Sequence, residues 1–389
     1  MSGAAGPRAR RVSMRNIRMA EPYFSAEDRA WIHRELDAIL DGQLSMGPNV
    51  KQFEQEFAAM AGVRHAVALN SCTAALEIAI ASQDVAGGEV IVPAETFIAT
   101  GIAVHLAGGR PVCAEISAAT LCLDLDDVKQ RVNAATKGII LVHMGGLITP
   151  DIEDFVAFCA SRGLFLIEDA AHAPGARLRG RAAGAFGLAG CFSFYPTKVI
   201  TAGEGGMLTT DDDRVAAFAR SHQHRGRDFA LTGEQYALPG QNRRMTEMAA
   251  LIGRVQLSHL GEFLARRQQI AGTYHLRLRD DPRVTVIVPD DLPSSACWKI
   301  PVVLPKGVDR PAVTDGLAQA GVAVDWAYQP AMHLQPVFRR LFAGREGDLP
   351  RTEDLLSRHI CLPCHPRMTM DDANYVVDSL QRVLDSQFK

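Results

Sequence analysis

The stretch Leu164-Phe-Leu-Ile-Glu-Asp-Ala-Ala-His172 decides the fold. Its apolar half reads as a buried strand that carries Asp169 to its carboxyl end, where open α/β sheets place their ligands. The plainer alternative is that Asp169 only caps the next helix. Working outward, His65 to Leu69, Glu89 to Val92, Gly138 to Val142 and Gly190 to Phe194 are similar apolar runs, separated by helical stretches. Continuous apolar runs between helices predict a largely parallel sheet covered on both faces. Ser25-Ala-Glu-Asp28 fits a capping box ahead of one helix, and Pro48 opens a second that Gly62 closes.

Beyond a long helical pattern from about Thr246 to Tyr274, the register changes. Arg283 to Val288, Trp298 to Leu304 and Val322 to Trp326 look like strands, with helices near 309–320 and 371–385. The expected organisation is a disordered basic tail over 1–20, a large domain over 21–270 and a smaller α+β domain over 271–389. The tail carries Arg8, Arg10, Arg11, Arg15 and Arg18 with no acid, and lacks the apolar centre of a secretory signal.

Composition narrows the class. The 389 residues are 47% apolar and 22% charged, with a formal net charge of -3, which gives no nucleic-acid footprint. No apolar run approaches the roughly 20 residues that span a bilayer. The eight cysteines mostly sit inside apolar runs rather than in a disulfide framework, so the expected compartment is reducing and cytoplasmic. No metal is expected.

Two more stretches carry chemistry. In Cys191-Phe-Ser-Phe-Tyr-Pro-Thr-Lys198 a strand ends, Pro196 breaks it, and a lysine follows in a loop that Gly203-Glu-Gly-Gly206 lets double back. A lone loop lysine is usually solvated. In Leu69-Asn-Ser-Cys-Thr-Ala-Ala-Leu76 a strand runs into a helix whose first turn has no acid. Its free N–H groups and the Thr73 hydroxyl suit an anion such as a phosphate. Together the three stretches supply what pyridoxal 5'-phosphate (PLP) needs: a phosphate seat, a carboxylate for the pyridine nitrogen, and a lysine for the Schiff base.

At this point the sequence resembles the DegT/DnrJ/EryC1/StrS family of sugar aminotransferases, from about Met19 to Leu384. The matching motifs are Asn70-Ser-Cys-Thr-Ala-Ala-Leu76, Pro93-Ala-Glu-Thr-Phe-Ile-Ala-Thr100, Glu168-Asp-Ala-Ala-His172, Ser193-Phe-Tyr-Pro-Thr-Lys198, Gly203-Glu-Gly-Gly206 and Asn242-Arg-Arg-Met-Thr-Glu247. The resemblance implies the fold type I architecture of PLP-dependent transferases, with a mostly parallel seven-stranded sheet in the large domain. It implies Lys198 as Schiff-base lysine, Asp169 as partner of the ring nitrogen, His172 near the phenolic oxygen and Phe97 stacked on the ring. Cys72, Thr73 and Ser193 would contact the phosphate, and Asn242 would reach it from the other subunit of a homodimer. Cys72 stands where many relatives have glycine, and Arg243 where an aromatic is common.

The implied reaction is a ping-pong transamination from L-glutamate or L-glutamine to a keto-sugar, most simply a nucleotide-linked keto-deoxysugar. A keto-cyclitol is the alternative acceptor. A sugar dehydratase of this family has histidine in place of the lysine, and a regulatory relative would have lost one of Lys198, Asp169 or Thr73. Arg225, Arg227, Arg243 and Arg244 are candidates for a donor carboxylate or a diphosphate, or are solvated. His143, Tyr328 and His333, with Arg243, are the candidate substrate contacts. Cys361-Leu-Pro-Cys364-His365 formally matches a c-type haem attachment motif and would make an electron carrier.

Overall fold

A computed structural model describes residues 15–387 of the chain. The strands of the large domain, in chain order, are β1 (His65–Leu69), β2 (Glu89–Pro93), β3 (Arg110–Ala114), β4 (Thr136–Val142) and β5 (Phe165–Asp169). A short hairpin follows, β6 (Arg177–Leu178) with β7 (Arg181–Ala182), then β8 (Ala189–Ser193) and β9 (Gly206–Thr210). Seven strands form one sheet in the order β1-β9-β8-β5-β4-β2-β3. Its pairs are parallel except those made by β9, which runs against both β1 and β8.

Side-chain alternation explains why both faces are covered. Ala66, Ala68, Ile139 and Leu141 join one core, and Val67, Leu69, Ile140 and Ile167 the other. An aromatic cluster fills the first face, with Phe57 and Phe192 4.8 Å apart and Phe53 and Phe194 5.1 Å apart. The helices Cys72–Ala81 and Ile98–Leu106 cover the second face.

The small domain is built on β10 (Thr285–Val286), β11 (Ile300–Val303) and β12 (His359–Leu362), paired antiparallel. The long helical pattern divides at His259 into helices Glu247–Ser258 and Leu260–Leu278. The second of these leaves the large-domain core after Phe263 and enters the small-domain core at Ile270. The expected strand at Val322 to Trp326 is reduced to isolated bridges, Ile17 with Val322 and Asp325 with Cys361.

Residues 1–14 of the expected tail lie outside the described residues. From Arg15 onward the chain is docked: Ile17 is buried and its N–H donates to Gly321 O at 2.8 Å, while Arg15 pairs with Asp372 at 2.6 Å. The tail boundary at residue 20 is therefore corrected for residues 15–20. Ile17 has apolar surface to bury, and Asp372 supplies the counter-charge. No helix among the described residues is long and apolar enough to cross a membrane. The eight cysteines are all free.

Candidate active site

Parallel strands bring their carboxyl ends to one edge of the sheet. There Lys198, Asp169, Cys72, Thr73, Phe97, His172, Ser193 and Tyr328 line one cavity of about 530 Å³. Asp169 ends β5, and the helix Cys72–Ala81 starts just after β1. Lys198 follows the turn after β8. Gly206 lets these elements meet, since a Cβ there would come within 2.5 Å of Cys72 N.

The helix start is open to an anion. Ser71 takes the Ala74 N–H on its hydroxyl at 3.1 Å and the Ala75 N–H on its carbonyl at 3.2 Å. The N–H groups of Cys72 and Thr73 have no intrahelical acceptor, and the first turn has no acid. Burial pushes the Cys72 thiol well up, so it faces the cavity uncharged.

Asp169 is buried and fixed from two sides. The Thr100 hydroxyl donates to Oδ2 at 2.8 Å, and the Ala171 N–H to Oδ1 at 3.2 Å. Burial raises its carboxyl above the usual range, against those hydrogen bonds and the charge of Lys198. A cationic ring nitrogen would relieve that desolvation. Burial likewise lowers the Lys198 amine to about 8; Asp169 opposes this and Lys299 adds to it. An amine of that kind is neutral often enough near neutral pH to attack a carbonyl carbon.

The family is decided by comparison. The profile of the DegT/DnrJ/EryC1/StrS aminotransferase family matches residues 27–381. The chain belongs to this family. Spore coat polysaccharide biosynthesis protein SpsC of Bacillus subtilis is 34% identical, over 91% of this chain and 94% of that protein. GDP-perosamine synthase of Caulobacter vibrioides is 33% identical, over 95% of this chain and 98% of that protein. The crystal structure of DesI in the presence of its TDP-sugar product superposes with a TM-score of 0.85 at 34% identity, covering 94% of this chain and 92% of that one. This is a family of sugar aminotransferases, and the chain is a PLP-dependent aminotransferase. Its cavity fits the cofactor: an amine, a desolvated carboxylate and an acid-free helix start converge on one space.

For a member of this family, four of the expected site residues lie elsewhere in the chain. His143 does not line the cavity and is corrected to a supporting position: it is fully buried, with Nε2 2.8 Å from Glu168 Oε2. Glu168 alternates to the opposite face of β5 from Asp169 and accepts the N–H groups of Gly184, Phe186 and Gly187. A buried carboxylate needs such partners, and His143 is one. His333 is also corrected: it pairs with Glu353 at 3.0 Å and borders a separate cavity of about 310 Å³ beside β3. Arg243 does not reach the cavity in this chain; its Nη2 lies 2.5 Å from Glu77 Oε2, and Gln241 donates to the same carboxylate at 3.1 Å. Asn242 is exposed, bridged through its backbone to His224.

The haem alternative fails on burial. Cys361 and Cys364 are buried, and burial pushes the Cys361 thiol up to about 12. A larger groove of about 960 Å³ lies between helices Ala26–Leu40 and Glu247–Ser258. Two of its lining charges are paired, Arg254 with Glu56 at 3.0 Å and Asp28 with His259 at 2.9 Å.

Of the small domain's share of the wall, the sequence pointed to Tyr328, which lines the cavity, but not to Trp298 or Lys299. Trp298 stacks on His172, with ring centroids 3.8 Å apart, and its indole N–H donates to Thr197 O at 2.6 Å. Lys299 lines the cavity beside it. Arg267, buried without an acid, caps the carbonyls of Cys297 and Trp298 at 3.3 and 3.2 Å. No motif flags these residues. The one signal in the sequence is a tryptophan next to a lysine at the start of a predicted strand.

Proposed function

We propose that the enzyme transfers an amino group from L-glutamate or L-glutamine to a nucleotide-linked keto-deoxysugar by a ping-pong mechanism. The observation that carries this reading is the convergence of Lys198, Asp169 and the Cys72–Thr73 helix start on one cavity. The named relatives support the acceptor class, since GDP-perosamine synthase and DesI are named for, or shown with, nucleotide sugars. Bound PLP supplies the electron sink for the substrate's α-carbon. Lys198 would hold the cofactor as its Schiff-base lysine. With its amine free and neutral, it would carry the proton to and from that carbon. Asp169 would keep the ring nitrogen protonated. His172 and Phe97 would bound the ring, and Thr73, Cys72 and Ser193 would hold the phosphate. Tyr328, 3.0 Å from His172 Nε2 through its hydroxyl, faces the substrate side.

The same reading makes the enzyme a cytoplasmic homodimer in which Asn242 completes the partner's phosphate seat. The exposure of Asn242 in a single chain supports it. A panel of keto-sugar nucleotides and keto-cyclitols, scored for return of the pyridoxamine form to the pyridoxal form, tests the acceptor. Turnover of keto-cyclitols alone would replace the nucleotide sugar. Mixing Lys198→Ala with Asn242→Ala subunits tests the shared site. Hybrid dimers keep one intact site, so about a quarter of wild-type activity should return. No recovery after proven exchange would confine Asn242 to its own chain.

A further inference from the structure

Two lysine side chains meet at Trp298. Lys198 Nζ and Lys299 Nζ each lie 4.3 Å from the centre of its ring, so they are at most twice that distance apart. The two lysines come from different domains: Lys198 from the turn after β8, Lys299 from the residue before β11. Lys299 is nearly buried, 11% exposed, and is held from behind by Asp325, to which its Nζ donates. Asp325 does not reach the cavity, whereas Lys299 lines it. The pair is thus oriented, cation toward Lys198 and anion away. Trp298 itself cannot drift: its N–H is tied to Thr197 O, one residue before Lys198, and its carbonyl is held by Arg267.

A buried lysine beside another lysine is costly to a fold, and the Asp325 partner only partly offsets that cost. Other groups facing Lys198 do not account for its electrostatics. His172 is kept neutral by burial and by both lysines, while burial keeps the Tyr328 hydroxyl and Cys72 thiol protonated. Glu204 borders the cavity from the glycine-rich loop and is exposed, so solvent screens it. Asp169 and Lys299 are the two fixed charges that remain, and Asp169 is the one a bound cofactor's ring nitrogen would engage.

We propose that Lys299, anchored by Asp325 and seated on the same indole as Lys198, is a positioning residue that holds the Lys198 amine in its neutral, reactive form. A second cation beside a reactive lysine is a known way to activate it. The proposal rests on Lys198 being the cofactor lysine, so the experiment separates the two claims. In full-length, cofactor-free protein, the acetylation rate of Lys198 by acetic anhydride is followed against pH by mass spectrometry. Lys299→Met should raise the midpoint by about one pH unit, the scale for a unit charge at such a distance with an effective dielectric of about 20. Lys299→Arg should leave the midpoint in place, and Asp325→Asn should lower it. A purely structural role would not move the two variants in opposite directions. A shared midpoint for wild type and Lys299→Met, or shifts of one sign in both charge-removing variants, overturns the proposal. Separately, borohydride reduction of the PLP-loaded wild type should fix the cofactor on Lys198. Trapping on another residue would overturn the Lys198 assignment itself, and the Lys299 proposal with it.

Discussion

The two sides of the cavity are built in opposite ways. The large-domain side places Asp169, Lys198 and the Cys72–Thr73 helix start at strand ends or in the turns just beyond them, where backbone geometry decides their position. The small-domain side places Trp298, Lys299 and Tyr328 on irregular backbone, held by side-chain contacts such as Arg267 to the Trp298 carbonyl. On the proposed reading, the first side carries the chemistry. The second has room to vary, because no strand register constrains it. If that division is right, substitutions on the sheet edge should abolish turnover, and those on the opposite wall should tune it.

The largest effect is expected at Lys198. Lys198→Ala should lose covalent cofactor and essentially all turnover while keeping the fold, as read by near-visible absorbance and circular dichroism. Substantial remaining activity would remove the basis of the comparison. The same residue has a signature in the cofactor-free protein. Its amine titrates at about 8 in the fold, against an ordinary value of 10.5. Between those values the unfolded chain binds the extra proton, so wild-type stability should rise with pH through that window. In Lys198→Ala that component of the slope should vanish.

Asp169→Asn comes next, with a loss of about 100-fold or more in turnover, on the scale of deleting one preorganised charge contact. Because burial raises this carboxyl, the neutral amide should leave the cofactor-free protein no less stable at neutral pH. A variant that loses stability and activity together would make Asp169 a structural residue. On the opposite wall, Trp298→Phe keeps an aromatic ring but drops the bond to Thr197 O. Stability should fall by about 1 kcal/mol, and kcat/KM by less than for Asp169→Asn. A complete loss would place the wall among the chemical groups and erase the distinction.

The difference in construction also explains what was legible in the sequence. Asp169 and Lys198 stand beside apolar strands and glycine or proline breaks, so local pattern predicts their positions, and only the three stretches taken together point both at one site. His143 directly follows a strand at the same edge and looks equivalent, yet its side chain turns to Glu168. Strand alternation decides that, and a single residue of register separates a cavity wall from a buried support. Glu247, quoted within a family motif, proves to be a buried anchor that accepts the N–H groups of Gly47, Asn49 and Val50. Trp298 and Lys299 were hidden because their partners, Thr197 and Asp325, lie 101 and 26 residues away.

The smallest effect on turnover is expected at Arg243, and it sharpens the comparison most. Arg243 belongs to the large domain and to a family motif, yet in this chain it serves Glu77 rather than the cavity. Glu77 is 5% exposed and sits in the helix whose start opens on the cavity, while the Arg243 side chain is 24% exposed. Arg243→Met leaves that buried carboxylate with the single amide of Gln241. The expected cost is about 1–3 kcal/mol of stability, the range for an under-satisfied buried acceptor. A fully buried pair would cost more, but solvent reaches the arginine side of this one. Pairing Arg243→Met with Glu77→Gln should recover most of the loss, because no charge is then stranded. The acceptor KM should stay near wild type throughout. A raised acceptor KM at unchanged Tm would instead put Arg243 against the substrate, most directly in the partner subunit's cavity, and the large-domain edge would then carry specificity as well as chemistry.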